Sequence, residues 1–298
     1  MRVLVSGATG FVGRYLVEQL VSAGHEVVAA VRSRPKGDKL AGAIGWRTAI
    51  LDPSLDQTEA FAGIDAFVHT AFDHLPGRFR GGEGDDPEGF LRRNREGSLA
   101  LMAQAKTAGV RRAVFLSSRA VYGSAPGPVD EDEPALPDTL YGRMKLAVEA
   151  GLAAMAAPNF ATVSLRVTGV YGSTADGGAG KWMQLFDQFM RGDPIEPRLA
   201  TEVHGRDVGE AVRLVVEEPQ ASVMGEVYNV SDIVLDRADL LAIFREVLGV
   251  DRALPERAAA APGGVMDCRK LRALGWTPGG LTLLDQTIRA MADRYRPR

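Results

Sequence analysis

A tyrosine and a lysine stand four residues apart in Tyr141-Gly142-Arg143-Met144-Lys145. On a helix, positions i and i+4 share a face, one turn above the other. An ammonium beside a phenol favours the phenolate and lowers the tyrosine pKa from about 10 toward neutrality. Tyr141 is therefore a candidate general acid/base, and Lys145 the group that tunes it. Any helix can carry such a pair by chance, so its meaning depends on its neighbours. Upstream, an apolar run ends Phe115-Leu116-Ser117-Ser118. In open α/β sheets ligands bind at the carboxyl ends of strands, where a hydroxyl can hydrogen-bond a substrate carbonyl. A serine that merely caps the next turn is the alternative.

A second constellation opens the chain. Residues 2–6 (RVLVS) lead directly into Gly7-Ala8-Thr9-Gly10-Phe11-Val12-Gly13, and helical spacing follows. One glycine allows a sharp turn, another lets backbone approach a pyrophosphate, and a third lets helix pack close to strand. The N–H groups of Phe11, Val12 and Gly13 would then face the phosphates at the helix N-terminus. The setting, after a strand and before an amphipathic helix, makes this a dinucleotide-binding turn rather than an ordinary βα connection. The next strand ends Val31-Arg32-Ser33-Arg34 with no carboxylate. An NAD enzyme usually offers Asp or Glu to the ribose at this place, whereas a 2′-phosphate suits forked guanidinium hydrogen bonds. Arg32 and Arg34 therefore predict NADP over NAD, unless both are simply solvated.

These residues need elements to hold them. Residues 2–6, 26–31, 65–71, 112–118 and 161–167 read as strands, with helical patterns at 11–23, 57–62, 88–108 and 139–156 between them. Alternation of this kind implies βαβ units with right-handed crossovers. The expected fold is α/β, a Rossmann-type doubly wound parallel sheet over residues 1–172. After the loop-like segment 172–180 the pattern loosens into helices at 182–191, 207–217, 236–248 and 281–294, with a short strand at 226–230. We expect a small α+β substrate lobe over 173–298, partly interwoven with the first domain.

Composition bounds the rest. The chain has 298 residues, 46% hydrophobic and 24% charged, with a formal charge of −3. Those values fit a globular protein and exclude collagen-like, coiled-coil or disordered classes. The balance argues against nucleic acid as a partner, since phosphate neutralisation needs a basic surplus. Its cysteine, Cys268, has no second cysteine to pair with, which favours a reducing, cytoplasmic setting. No signal peptide or membrane-spanning stretch is expected. His25, His69, His74 and His204 show no metal-ligand spacing and are read as structural or pocket-lining. The acidic run 130–133 is read as a solvated loop.

With these motifs in order, the chain resembles the extended short-chain dehydrogenase/reductases of the NAD-dependent epimerase/dehydratase family. The segments that carry the likeness are 7–13, 68–71, 115–123, 129–145, 165–172, 203–212 and 226–232, with Asn94 in NREGSLALMAQA. The resemblance implies that Ser118, Tyr141 and Lys145 are catalytic, with Lys145 also binding the nicotinamide ribose. It implies that Asp52 contacts adenine, that Ala71 and Phe72 border the phosphates and ribose, and that Asn94 lies beside the site. Ser117 matches the strand residue before the catalytic serine, and Val167 a strand end near the nicotinamide. It also implies a homodimer through the helices at 88–108 and 139–156.

The match departs from nucleotide-sugar enzymes of the family at Ala200, where many carry an arginine for the substrate diphosphate; Arg198 or Arg206 could substitute. The leading reading is therefore a carbonyl/alcohol oxidoreductase acting on a small molecule. A nucleotide-sugar epimerase or dehydratase is the alternative, and a non-catalytic dinucleotide sensor a third. Arg119, next to Ser118, and Trp182, after the loop that lines the family's pocket, are candidate substrate contacts. Core packing is the default for Trp182.

Overall fold

The computed structural model describes residues 1–33, 40, 42–43, 45–75, 81–173, 180–259 and 263–296. Seven strands form one parallel sheet: β1 (Arg2–Ser6), β2 (Glu26–Val31), β3 (Gly45–Thr48), β4 (Ala66–His69), β5 (Arg112–Ser118), β6 (Ala161–Val167) and β9 (Glu226–Val230). Their order is β3-β2-β1-β4-β5-β6-β9. The chain winds one way from β1 to β3 and the other way from β4 onward, so the switch point lies between β1 and β4. Strands buried on both faces should read as unbroken apolar runs, and β1, β2 and β6 do.

Helix α1 (Phe11–Ser22) follows β1. Further on come α2 (Pro87–Leu91), a π-helical turn (Arg92–Gly97), α3 (Ser98–Thr107) and α4 (Leu140–Ala154). The sequence reading of one helix across 88–108 is thus replaced by two α segments joined by a wider turn. Two apolar layers enclose the sheet. One gathers Leu16 and Leu20 of α1 with Val208 and Val212; the other gathers Leu101, Met102, Val148 and Leu152 of α3 and α4.

A second sheet, β10-β8-β7, is built from β7 (Gly169–Tyr171), β8 (Leu199–His204) and β10 (Ile233–Asp236). Its helices are α5 (Met183–Arg191) and α8 (Arg237–Leu248), and α10 (Gly280–Ala292) packs on α8. Phe186 and Phe244 stack here with ring centroids 4.0 Å apart. Helix α6 (Gly205–Glu217) instead packs on α1. β9 lies far along the chain yet closes the edge of the main sheet, whereas β7, only two residues past β6, begins the small one. The short helices α7 (Gln220–Val223) and α9 (Arg269–Arg272) complete the order. No helix of the described residues is long and apolar enough to cross a membrane.

Candidate active site

The glycine turn sits at the switch point. Gly7 has φ +69°, and a Cβ there would lie 2.9 Å from the Ala71 nitrogen, two residues past the end of β4 across the switch point. A Cβ on Gly13 would lie 2.1 Å from the Gly7 carbonyl oxygen. Only glycine permits both approaches. Gly10 caps α1 without a side-chain hydrogen bond, and the first turn holds no acid. The leading N–H groups of α1 are left to an anion, as dinucleotide phosphates require. This cradle fits a nicotinamide dinucleotide.

Ser6 and His69 tie the two strands together. The Thr70 and Ala71 nitrogens donate to Ser6 Oγ at 3.2 and 3.3 Å, and Ser6 Oγ lies 2.7 Å from His69 Nδ1. His69 Nε2 lies 2.9 Å from Ser98 Oγ, whose proton goes to the Asn94 carbonyl. With that proton committed, Nε2 must be the donor and Nδ1 the acceptor. His69 is thus a neutral, Nε2-protonated link; burial, then the charge of Lys145, push its pKa down to about 3. Asn94 sits on the π-helical turn and grips the loop after β4. Its side chain accepts from the Asp73 nitrogen at 2.8 Å and donates to the Asp73 carbonyl at 2.7 Å. π-Helical turns are frequent at functional sites.

Ser118 ends β5 and accepts from the Ala120 nitrogen at 3.2 Å, capping the 3-10 turn Arg119–Tyr122. Thr139 caps α4 by accepting from the Gly142 nitrogen at 3.1 Å. A Cβ on Gly142 would lie 2.3 Å from the Ala120 carbonyl oxygen. Helix α4 therefore rests directly on the turn that Ser118 begins, which carries Tyr141 to the strand end. Phe72 meets the Tyr141 ring edge-on at 5.2 Å and stacks on His74 at 4.7 Å. Lys145, one turn along, is buried; its Nζ donates to the Leu116 carbonyl at 2.7 Å and lies 4.5 Å from the Phe115 ring centre. The Tyr141 ring centre is 5.8 Å from that Nζ. Burial pushes the Lys145 pKa down to about 7, against the pull of Glu149. Val167, the register partner of Ser118, ends the next strand.

A model of the NAD dependent epimerase/dehydratase family matches residues 3–231. The chain belongs to this family. It is 30% identical over 197 residues to a UDP-glucose 4-epimerase of Lacticaseibacillus casei, a match covering 61% of this chain and 55% of that protein. It is 29% identical over 316 residues to a 3-diazoavenalumate denitrifying reductase of Streptomyces sp., covering 93% and 96% of the two chains. In structure it is similar to MoeE5 in complex with UDP-glucuronic acid and NAD, with 29% identity, a TM-score of 0.81 and coverage of 99% and 100%.

Not every residue singled out by the sequence meets at this candidate site. Arg32 is exposed and lies 3.7 Å from Asp73, while Arg34 falls outside the described residues. Asp52 accepts from the Ser54 nitrogen and hydroxyl and from Arg92, which together lower its pKa. Arg119 donates to the Gly263 carbonyl at 3.2 Å. Trp182 is buried and stacks on Tyr171, with centroids 4.9 Å apart. The run 130–133 is not wholly solvated as expected, because half-buried Glu131 accepts from the Asn229 nitrogen at 2.6 Å and so seals the outer edge of β9.

Trp182 also borders a cavity of about 220 Å³ beside the second sheet, together with Lys181, Arg198, Ala200, Glu202 and Arg237. Lys181 pairs with Glu202 against Gly169, two residues beyond Val167. Arg198 thus lines the cavity that Ala200 borders, whereas Arg206 is exposed and lies 3.9 Å from Asp207. Sequence reasoning missed Phe115, Glu149 and Arg166. Only the spacing of Glu149, four residues after Lys145, hinted at any of them.

Proposed function

We propose that this enzyme is an NADP-preferring oxidoreductase that interconverts a secondary alcohol and a ketone, or an alcohol and an aldehyde. The observation that carries the reading is the seating of Tyr141 and buried Lys145 on α4 against the Ser118 turn, at the carboxyl end of the sheet that bears the glycine turn. A bound nicotinamide dinucleotide supplies the hydride acceptor or donor. Gly7, Gly10, Phe11, Val12 and Gly13 would hold its phosphates, and Ala71, Phe72, Asn94 and Val167 would border it. In oxidation the phenolate oxygen of Tyr141 takes the hydroxyl proton of the substrate as the carbinol C–H electron pair departs and C=O forms. In reduction the phenol returns that proton. The Ser118 hydroxyl donates to the same substrate oxygen, and the Lys145 ammonium keeps the phenolate accessible near neutral pH.

For the cofactor preference, the support is the carboxylate-free end of β2 with Arg32 beside it. Calorimetric titration should give NADP tighter binding than NAD. Arg32→Glu should weaken NADP by at least about tenfold while sparing NAD, through lost charge-assisted pairing with the 2′-phosphate. Equal or tighter binding of NAD by the unaltered protein would overturn the preference, and the NAD bound by MoeE5 makes this a sharp test.

A second reading, nucleotide-sugar epimerisation, is favoured by the cavity that carries Arg198 and Arg237, whose cations suit a diphosphate. The two readings separate by cofactor balance. Carbonyl substrates should consume NADPH stoichiometrically. UDP-sugars, if epimerised, should change configuration with no net change in nicotinamide absorbance. Configurational exchange without cofactor consumption, and no turnover of any carbonyl compound, would replace the first reading by the second.

A further inference from the structure

Lys145 is enclosed by Phe115, Phe72 and Tyr141, and among the described residues its hydrogen-bond partner is the Leu116 carbonyl. A carbonyl dipole is a weak counterpart for a buried ammonium. An acid, Glu149, stands one turn further along α4 and is itself buried. Its carboxylate accepts from Ser117 Oγ and from Arg166, the latter through Nε to both oxygens at 3.2 Å and through Nη2 at 2.8 Å. Arg166 Nη1 then donates to the Tyr122 hydroxyl at 2.8 Å, which lies 2.8 Å from Asn229 Oδ1.

The register gives this chain its meaning. Ser117, Arg166 and Asn229 are cross-strand partners on β5, β6 and β9. The next row is Ser118, Val167 and Val230. The polar row therefore lies one residue behind the row that ends at Ser118, and Glu149 fastens it to the helix that carries Tyr141 and Lys145. Groups on the elements packed against α4 do not replace Glu149. His69 is neutral, and Arg92, Arg93 and Arg95 of the π-helical turn pair with Asp52, Asp73, Asp86 and Glu96.

We propose that Glu149 is a positioning residue, which keeps Lys145 protonated and locks α4 to the ends of β5 and β6. The proposal rests on Lys145 working with Tyr141 as described above. The hydrogen bonds of Glu149 to Ser117 and Arg166 support the locking, and its place one turn from Lys145 on the same face of α4, both side chains buried, supports the charge effect; that Glu149 raises the otherwise depressed Lys145 pKa agrees with this.

The test is lysine-selective 13C NMR on the full chain, which has six lysines, with the Lys145 signal assigned by Lys145→Arg. In Glu149→Gln the Lys145 midpoint should move down by about one pH unit, as expected for loss of a nearby opposite charge. The basic limb of kcat/KM should move the same way. A folded variant whose Lys145 midpoint and pH profile both stay in place would overturn the proposal and leave Glu149 merely structural. If Gln alone strands Arg166 and prevents folding, Glu149→Gln/Arg166→Met is compared with Arg166→Met, so that only the carboxylate differs; the Lys145 midpoint should lie about one pH unit lower in the double variant, and equal midpoints would overturn the proposal. A Lys145 shift in a protein without oxidoreductase activity would count against the functional reading and not against this one.

Discussion

Tyr141→Phe should lower turnover by about 10²- to 10⁴-fold, the range lost when a positioned acid/base is removed. The ring itself should stay where it is. It packs edge-on against Phe72, and neither that contact nor the cap from Thr139 involves the phenolic oxygen. Affinity for the dinucleotide should therefore remain within a factor of about three, since Lys145, the glycine turn and the strand ends are untouched. Steady-state kinetics together with cofactor titration would check both halves. Near-wild-type turnover in the variant would remove Tyr141 from the mechanism, and a collapse of cofactor binding would make its role structural.

Gly13→Ala should have the second large effect, through backbone rather than chemistry. Alanine is the better helix former by about 1 kcal/mol. That gain is overridden, because the new Cβ would lie 2.1 Å from the Gly7 oxygen and 2.8 Å from the Ala8 Cα, both backbone atoms. Helix α1 must shift away from β1, at a cost of about 1–3 kcal/mol typical of overpacking. Its leading N–H groups move with it, and a displacement of about 1 Å at a preorganised site can cost about 100-fold. We expect dinucleotide affinity to fall by that order, with a loss of several degrees in thermal midpoint. Retention of both would mean that the phosphates are not held at this turn.

How much of this was legible depends on where the information resides. β1, β2, β5 and β6 were readable with their ends, because central strands carry continuous apolar runs that no helix period fits. β3, β7, β8 and β10 were not. β3, β7 and β10 are short, with residues such as Arg47, Thr48 and Val234 exposed, and β8 breaks its apolar run at Thr201 and Glu202, so pairing with a neighbour makes them strands rather than local preference. The π-helical turn was hidden because a widened turn adds no residue type of its own. In the candidate site, Tyr141, Lys145, Ser118 and the glycines stand out in sequence since each belongs to a local pattern. Glu149 was not, since an acid on a helix reads as solvent-facing. Its partners lie 32 residues back at Ser117 and 17 ahead at Arg166, and only folding shows that both are buried.

The missing side chain at Gly142 acts as a mechanical stop. Helix α4 is seated on the Ala120 carbonyl, backbone against backbone, so its height above the Ser118 turn does not depend on how well any side chain fills the space beneath. Residues such as Val148 and Leu152 further along can be repacked at some cost in stability without lifting the phenol from its seat. A methyl group at 142 would raise the helix at the very end that carries Tyr141. Tolerance to change along α4 should therefore rise steeply with distance from residue 142, which makes its far end the place to stabilise the fold without retuning the site.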